Sequence, residues 1–389
     1  MPETKEKTAL DPSVGADGGQ SSHNHNLSIS ASDEKSNENF SEDDEKSVDE
    51  MFRDLQKLTN PAYLPAVTMG ELLETVYLSK PPIIDGLLYP GTYLFAGAPK
   101  VGKSFLMAQI AYHVSTGTPL WGYPVRKGTV LYLALEDDYH RLQERVFRMF
   151  GTEENEKLYF ATCAKQLGNG LQEQLQLFIR EHPDTKLVII DTLQKILETT
   201  GEKYSYAKDY EIIGQLKRLS DQAGICLLLV HHTRKQQADD KFDMISGTNG
   251  LVGAADGAFV IHKEKRTGQT AVLEVSGRDQ PEQKLILEKN PTTLVWELQE
   301  RETEFWKEPP DPVLEAIARL VNEEKSQWVG SPTALAESLQ LEMKPNSLSR
   351  YLNVQASKLR TDYGISYSNH QRHAGRQIVM NWLGKPEKA

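Results

Sequence analysis

The chain has 389 residues, 39% of them hydrophobic and 25% charged, with a formal net charge of −11, which is enough for a substantial core and room for two domains. It has only two cysteines, Cys163 and Cys226, which excludes a disulfide-stapled scaffold, and no apolar run long enough to span a bilayer. The charge is unevenly placed: the first fifty residues carry thirteen Asp and Glu against four Lys, so the remainder is nearly neutral.

Residues 1–50, with runs such as SEDDEKSVDE and almost no large apolar side chains, cannot bury enough surface to offset the entropy of ordering. They are expected to form a disordered acidic tail. The HNHN inside it reads as solvated polar chain rather than a metal site. No signal-peptide pattern opens the sequence. Both cysteines lie in apolar, strand-like runs, as expected of small buried hydrophobes in a reducing cytoplasm. Residues 51–90 read as a linker and lead-in to a folded core.

From residue 91, short apolar runs alternate with helical patterns. The runs are TYLFA (Thr92–Ala96), TVLYLALE (Thr129–Glu136), LYFATC (Leu158–Cys163), KLVIID (Lys186–Asp191) and ICLLLVHH (Ile225–His232). Helices are predicted over Lys103–Thr116, Tyr139–Phe150, Leu171–Arg180 and Tyr206–Ala223. Near-continuous apolar strands separated by crossover helices predict a parallel central sheet covered on both faces. GAFVIHKEK, TAVLEVSGRD, QKLILEK and TLVWEL then follow with only short polar links, the pattern of an antiparallel extension. This α/β domain is expected to span 91–306, with a linker at 307–311 and a smaller domain at 312–384.

GAPKVGKS, from Gly97 to Ser104, fits G-x-x-x-x-G-K-[ST] directly after a strand and directly before a helix. Backbone N–H groups and the positive helix end suit phosphate oxygens. Gly97, Ala98, Pro99, Lys100, Val101, Gly102, Lys103, Ser104 and Phe105 are therefore expected to hold ATP or GTP. Lys103 is expected to reach the β- and γ-phosphates and Ser104 to hold Mg²⁺, with Asp191 binding the same ion through water. The second run ends in three carboxylates, Glu136, Asp137 and Asp138. A buried carboxylate is costly unless paired, and ligands of open parallel sheets sit at the carboxyl ends of the strands. Glu136 is thus assigned to positioning the attacking water, and the two Asp to capping the next helix.

In this order and spacing, GAPKVGKS, LYLALEDD, LVIIDT and LLLVHHTRK resemble the RecA-like ATPases of the RepA type, hexameric replicative helicases of plasmids with relatives in phages and mobile elements. DnaB-type helicases and KaiC ATPases are similar at greater distance. The resemblance covers Pro65 to Leu298 and implies a RecA-like P-loop fold that uses ATP and Mg²⁺. It implies that Glu136 activates water, and that either His231 or His232 senses the γ-phosphate. It further implies an arginine finger at Arg278, completing the site of the adjacent subunit. DnaB-type relatives carry a Lys two residues before that Arg. Here Ser276 stands in its place, with Lys263, Lys265 or Arg266 as substitutes. By the same resemblance, the loops after Asp191 and after His232 line a ring channel and grip single-stranded DNA. Arg234, Lys235 and Lys241 are the basic residues of the second loop, offset by Asp239, Asp240 and Asp243.

The last segment reads as helices PVLEAIARLVNE, SPTALAESLQ and KPNSLSRYLNVQASKLRTDYG, then strand-like ISYSNHQRH and RQIVMNW. Three helices and a hairpin predict a winged helix. From Lys344 to Arg376 there are six Lys and Arg against one Asp. Arg350, Lys358 and Arg360 on the third helix, with Arg372 and Arg376 on the wing, suit the backbone of duplex or forked DNA. A winged helix used for protein contact is the alternative.

Two functions follow. One is a DNA-dependent ATPase, a ring-forming helicase or translocase, hexameric by resemblance, replicating a plasmid, phage or mobile element. The other is an ATP-switched DNA-binding regulator or loader that does not unwind. A small-molecule kinase needs neither Glu136 nor the C-terminal domain.

Overall fold

The computed structural model of the chain describes residues 59–197, 206–234, 240–246, 249–263, 265, 268–278, 280–302, 310–372 and 375–384. The predicted tail at 1–50 and positions 307–309 of the predicted linker lie outside the described residues. The chain divides into two units, 1–67 and 68–389. In the first, residues 59–67 contain a turn closed by the Tyr63 N–H on the Asn60 carbonyl at 2.9 Å. All elements below belong to the second.

That unit opens with a short helix, α1 (Met69–Glu74), started by Thr68 and Glu71 in a reciprocal capping box. The segment after it is more than a linker. Ile83, Ile84, Leu87 and Leu88 are buried against the sheet, and Ile84 bridges both Leu88 and Val125.

Six strands form the parallel core: β1 (Gly91–Gly97), β2 (Thr129–Ala134), β3 (Leu158–Ala161), β4 (Thr185–Asp191), β5 (Cys226–His232) and β6 (Gly257–His262). Their order is β3-β2-β4-β5-β1-β6. The sheet continues antiparallel through β7 (Thr270–Gly277), β8 (Gln280–Lys289) and β9 (Trp296–Glu302). The expected parallel core with an antiparallel extension is present, with one correction. GAFVIH pairs parallel to β1, Tyr93 opposite Gly257, because a further helical crossover precedes it. The antiparallel set therefore begins only at β7.

Alternation along the strands divides their side chains between two cores. Phe95, Tyr132, Ile189 and Val230 pack with α2 (Lys103–Thr116) and α3 (Tyr139–Phe150). Leu94, Leu133, Ile190 and Leu229 face the other way, towards α4 (Leu171–Glu181), α5 (Leu193–Ile196), α6 (Tyr206–Ala223) and α7 (Asn249–Ala254). The far strand is tied to the first core: Gln109 of α2 donates to the Trp296 carbonyl at 2.9 Å and accepts from its N–H at 2.7 Å. Cys226 is buried in β5, but Cys163 is exposed, because the short edge strand β3 ends at Ala161. Among the described residues, no helix is long and apolar enough to cross a membrane.

The C-terminal elements are α8 (Pro312–Leu320), β10 (Gln327–Gly330), α9 (Pro332–Ser338), α10 (Pro345–Tyr363), β11 (Ile365–Arg372) and β12 (Gly375–Trp382). Each of the three helices has proline at its start, where a missing N–H costs nothing. Asp311 and Ser331 cap the first two, and Gly364 ends the third in the left-handed conformation. The predicted hairpin forms, joined by the unpredicted strand β10 in the order β10-β12-β11. Leu314, Ile317, Leu335, Leu352, Ile378 and Met380 enclose a core separate from those of the large sheet.

Candidate nucleotide site

The phosphate loop bridges the end of β1 and the start of α2, turning through Lys100 at φ 65° and Gly102 at φ 112°. Glycine is required at the second position: a Cβ there would also lie 2.7 Å from Trp296 Cζ2. At Gly97 a Cβ would meet the Ile261 carbonyl oxygen at 2.7 Å, so β6 walls the loop.

Lys103 is buried, its Nζ donating to the carbonyls of Gly97 at 2.8 Å and Ala98 at 3.2 Å. Burial pushes its pKa down, while the carboxylates of Asp191 and Glu136 pull it back up. Ser104 hydrogen-bonds the Asp191 carboxylate, which also accepts from the Tyr132 hydroxyl at 2.9 Å. Burial holds the Asp191 pKa above the ordinary carboxylate range, although Ser104, Tyr132 and Lys103 all favour its ionised form. A buried carboxylate beside a hydroxyl suits a hard, oxygen-loving cation, so Ser104 and Asp191 fit Mg²⁺. Among the described residues, no cluster of three or more His, Cys, Asp or Glu makes a metal site by itself.

The three carboxylates separate. β2 ends at Ala134, two residues before the expected strand end, because the chain turns there: the Leu135 N–H reaches the Asp191 carbonyl at 2.7 Å and the Asp137 N–H the Ala134 carbonyl at 3.1 Å. Glu136 is therefore exposed in the turn and accepts from Thr192 Oγ1 at 3.2 Å. Asp138 caps α3, accepting from the Arg141 N–H at 2.9 Å. Asp137 is not a cap. It pairs with Arg145 at 2.7 Å, the two side chains being only 14% and 12% exposed.

Strand parity separates the two histidines. His232 follows Leu228 and Val230 on the face of α2, with Nδ1 3.4 Å from Lys103 Nζ. An Nδ1 that accepts from the ammonium would carry no proton, and Nε2–H would then be the donor. His231 is buried on the opposite face, hydrogen-bonded to the Ser246 backbone, and its Nδ1 has no partner among the described residues. Burial lowers both pKa values. Lys103 adds to that fall in each, while Glu136 and Asp191 oppose it in His232.

Sequence reasoning missed Arg145, Lys289 and Trp296. Phe105, at the end of the loop, lies under Lys289 Nζ, 3.5 Å from its ring centroid, and Arg145 Cζ, 5.1 Å away. Lys289 also lies 5.9 Å from the Trp296 ring. Burial, with Lys263, Arg145 and Arg148 nearby, lowers the Lys289 pKa to about 8. No spacing rule connects segments so far apart in sequence.

Arg278 does not reach this chain's own phosphate loop. Gly277 pairs with Gly257 at the start of β6, whereas Gly97 pairs with Ile261 near its end. The Arg278 guanidinium donates to the Gly253 carbonyl at 3.2 Å and lies 4.0 Å from the Asp256 carboxylate. Ser276 donates to Glu282 at 3.3 Å, and Lys263 to the Gly268 carbonyl at 2.8 Å. Arg266 and Asp279 lie outside the described residues. After β5, Arg234 is exposed and its N–H binds the Met244 carbonyl at 2.6 Å. Lys241 is half-buried in the same loop, and Lys235 and Asp239 lie outside the described residues. In the C-terminal elements, Arg350 and Arg376 both pair with Glu74. Lys358 acts electrostatically on Asp311, Arg360 is exposed, and the side chain of Arg372 lies outside what is described.

The profile of the AAA_25 family, described as an AAA domain, matches residues 39–238, just over half of the chain. The chain belongs to this family. The matched part of this AAA domain includes the phosphate loop, Glu136, Asp191 and both histidines. Three solved structures are similar. One, described as an ATPase domain, is 13% identical with a TM-score of 0.47, over 66% of this chain and 98% of that one. A DnaB-like replicative helicase, whose structure concerns its interactions with primase, is 16% identical with a TM-score of 0.47, over 65% and 71%. A KaiC-like protein from the hyperthermophilic archaeon Pyrococcus horikoshii OT3 is 16% identical with a TM-score of 0.42, over 58% and 99%. All three scores lie below 0.5, so the chemistry rests on the residues of this site. No curated protein matches the chain.

Proposed function

We propose that this protein is a DNA-dependent ATPase of the ring-forming, RepA-like kind, acting as a helicase or translocase in replication of a plasmid, phage or mobile element. The observation that carries the ATPase part is the convergence of Lys103, Ser104, Asp191, Glu136 and His232 at the carboxyl end of one parallel sheet. Mg²⁺ held by Ser104 and Asp191 would neutralise charge on the β- and γ-phosphates. Lys103 orients the γ-phosphoryl group once it turns from the loop carbonyls. Glu136 accepts a proton from water as the water oxygen bonds to the γ-phosphorus and the bond to the β–γ bridging oxygen breaks, leaving ADP and phosphate. In this reading His232 donates from Nε2–H to the γ-phosphate and registers its loss.

A hexameric ring with single-stranded DNA in its channel follows from the resemblance, with Arg234, Lys235 and Lys241 as channel contacts and Arg278 as the finger acting in trans. The element order of residues 312–384, with its three-stranded sheet, supports a winged helix carrying duplex or forked DNA. The alternative, an ATP-switched DNA-binding regulator, is favoured by one feature: two of the winged helix's basic residues are already held by Glu74. Steady-state ATP hydrolysis with and without single-stranded DNA decides between them. Stimulation by DNA that is lost in Glu136→Gln supports the motor, and slow hydrolysis indifferent to DNA supports the switch. Normal turnover in Glu136→Gln removes the assigned chemistry.

A further inference from the structure

Residues 73–79, the end of α1 and the segment that follows it, lie along α10. Arg350 Nε donates to Glu74 Oε1 at 2.7 Å, and Arg376, on β12, pairs with Oε2 of the same carboxylate. Asn353 Nδ2 donates to the carbonyls of Leu73 at 3.0 Å and Glu74 at 2.9 Å. One turn further on, Ser357 Oγ accepts from the Ser79 N–H at 2.7 Å. Arg350, Asn353 and Ser357 recur at spacings of three and four, so they form one stripe of the helix. The stripe is built to hold something. Asn353 is buried, and its Oδ1 accepts from the Tyr367 hydroxyl at 3.0 Å and from Asn369 Nδ2 at 3.2 Å, which fixes the amide with its NH₂ outward.

A carboxylate whose two oxygens take two guanidinium groups has the charge and geometry of a phosphodiester's two non-bridging oxygens. We propose that Glu74 is an internal substitute for a DNA phosphate: the lead-in segment covers the Arg350–Asn353–Arg376 face, and a nucleic-acid backbone binds there only by displacing it. This inference rests on the reading of residues 312–384 as a DNA-binding module. Burial opposes ionisation of Glu74, but hydrogen bonds from Arg350 and Arg376 outweigh it and hold the carboxyl below its ordinary range, so the substitute stays anionic at neutral pH. The clasp is also exchangeable. The Arg350 side chain is 48% exposed, and ion pairs at such sites are weak enough for a polyanion to compete. Because the same segment continues into the buried Ile83–Leu88 stretch under the sheet, its release couples the module to the ATPase core.

The test uses the full chain and a fluorescently labelled 20-base-pair duplex at fixed ionic strength. Glu74→Gln is expected to bind the duplex about threefold to tenfold tighter, and adding Arg350→Ala and Arg376→Ala is expected to remove that gain. Hydrogen exchange in the wild-type chain is expected to show residues 69–79 losing protection when saturating duplex is added. A Glu74→Gln variant with unchanged affinity, a gain that survives both arginine substitutions, or unchanged protection of 69–79 overturns the inference. Lys358→Ala with Arg360→Ala separates the causes. If that pair weakens duplex binding while Glu74→Gln does nothing, the clasp is wrong and the DNA module stands. If both leave affinity untouched, the DNA module itself is wrong.

Discussion

His232 Nδ1 lies 3.4 Å from the ammonium of Lys103, on the face of the sheet that carries the phosphate loop. His231, one residue earlier, is buried on the opposite face. The proposed γ-phosphate sensor is therefore His232. His232→Ala is expected to lower kcat about 100- to 1,000-fold, as loss of one donor to developing charge does, with nucleotide affinity changed far less. His231→Ala is expected to destabilise the fold by about 1–3 kcal/mol through its cavity and to leave kcat within a few-fold. A kcat loss larger in His231→Ala than in His232→Ala would reverse the assignment.

The buried His231 also gives acid sensitivity of a definite sign. Burial lowers its folded-state pKa below the ordinary 6.5, although the Ser246 backbone and Asp209 push the other way. The unfolded chain then binds the extra proton more readily, so stability is intact above pH 6.5 and is lost as pH falls below it. His113 and His232, both lowered mainly by burial, contribute in the same direction. Urea unfolding at pH 7.5 and pH 5.5 is expected to show a smaller loss in His231→Leu than in wild type, and an equal loss would place the proton elsewhere.

Much of this was legible in the sequence, for identifiable reasons. The limits of α2, α3 and α6 match their predicted ranges because glycines flank α2, Asp138 caps α3, and Gly224 follows α6. That Lys103, Ser104 and Asp191 come together was legible because a phosphate loop and a strand-end aspartate are local patterns. What failed depended on tertiary contacts. Which histidine faces the loop requires knowing which face of β5 meets α2. That GAFVIH is parallel requires knowing where its crossover returns. That Ile83–Leu88 belongs to the core depends on a bridge to Val125, some forty positions away. The Glu74 contact with Arg350 spans 276 positions, and no periodicity encodes it.

The three carboxylates after β2 are expected to fail in three different ways. Asp138→Ala removes the α3 cap and is expected to cost about 1 kcal/mol. Asp137→Asn breaks a mostly buried pair and leaves Arg145, which also lies over Phe105, without its counter-charge. The expected loss is roughly 2–3 kcal/mol. Neither is expected to lower kcat at temperatures where the variant is folded, whereas Glu136→Gln is expected to retain full stability and lose turnover. Thermal unfolding and single-turnover hydrolysis on the three variants check this. A stable, inactive Asp137→Asn would transfer the water-activating role to Asp137.

Arg278 supplies the last case, because its position allows only one way to act on ATP. It stands at the start of β6, next to Asp256 and Gly253. Its own phosphate loop is at the other end of that strand, about 15 Å away at 3.3 Å per residue. If it stabilises the transition state, it does so across a subunit boundary. Arg278→Ala and Lys103→Ala are then each expected to be inactive while still assembling. A one-to-one mixture is expected to regain hydrolysis, since a Lys103→Ala subunit still offers Arg278 to the intact phosphate loop of an Arg278→Ala neighbour. Random mixing makes about a quarter of the interfaces complete. Full activity of Arg278→Ala alone, or a mixture as dead as its parts, would leave Arg278 as a surface partner of Asp256.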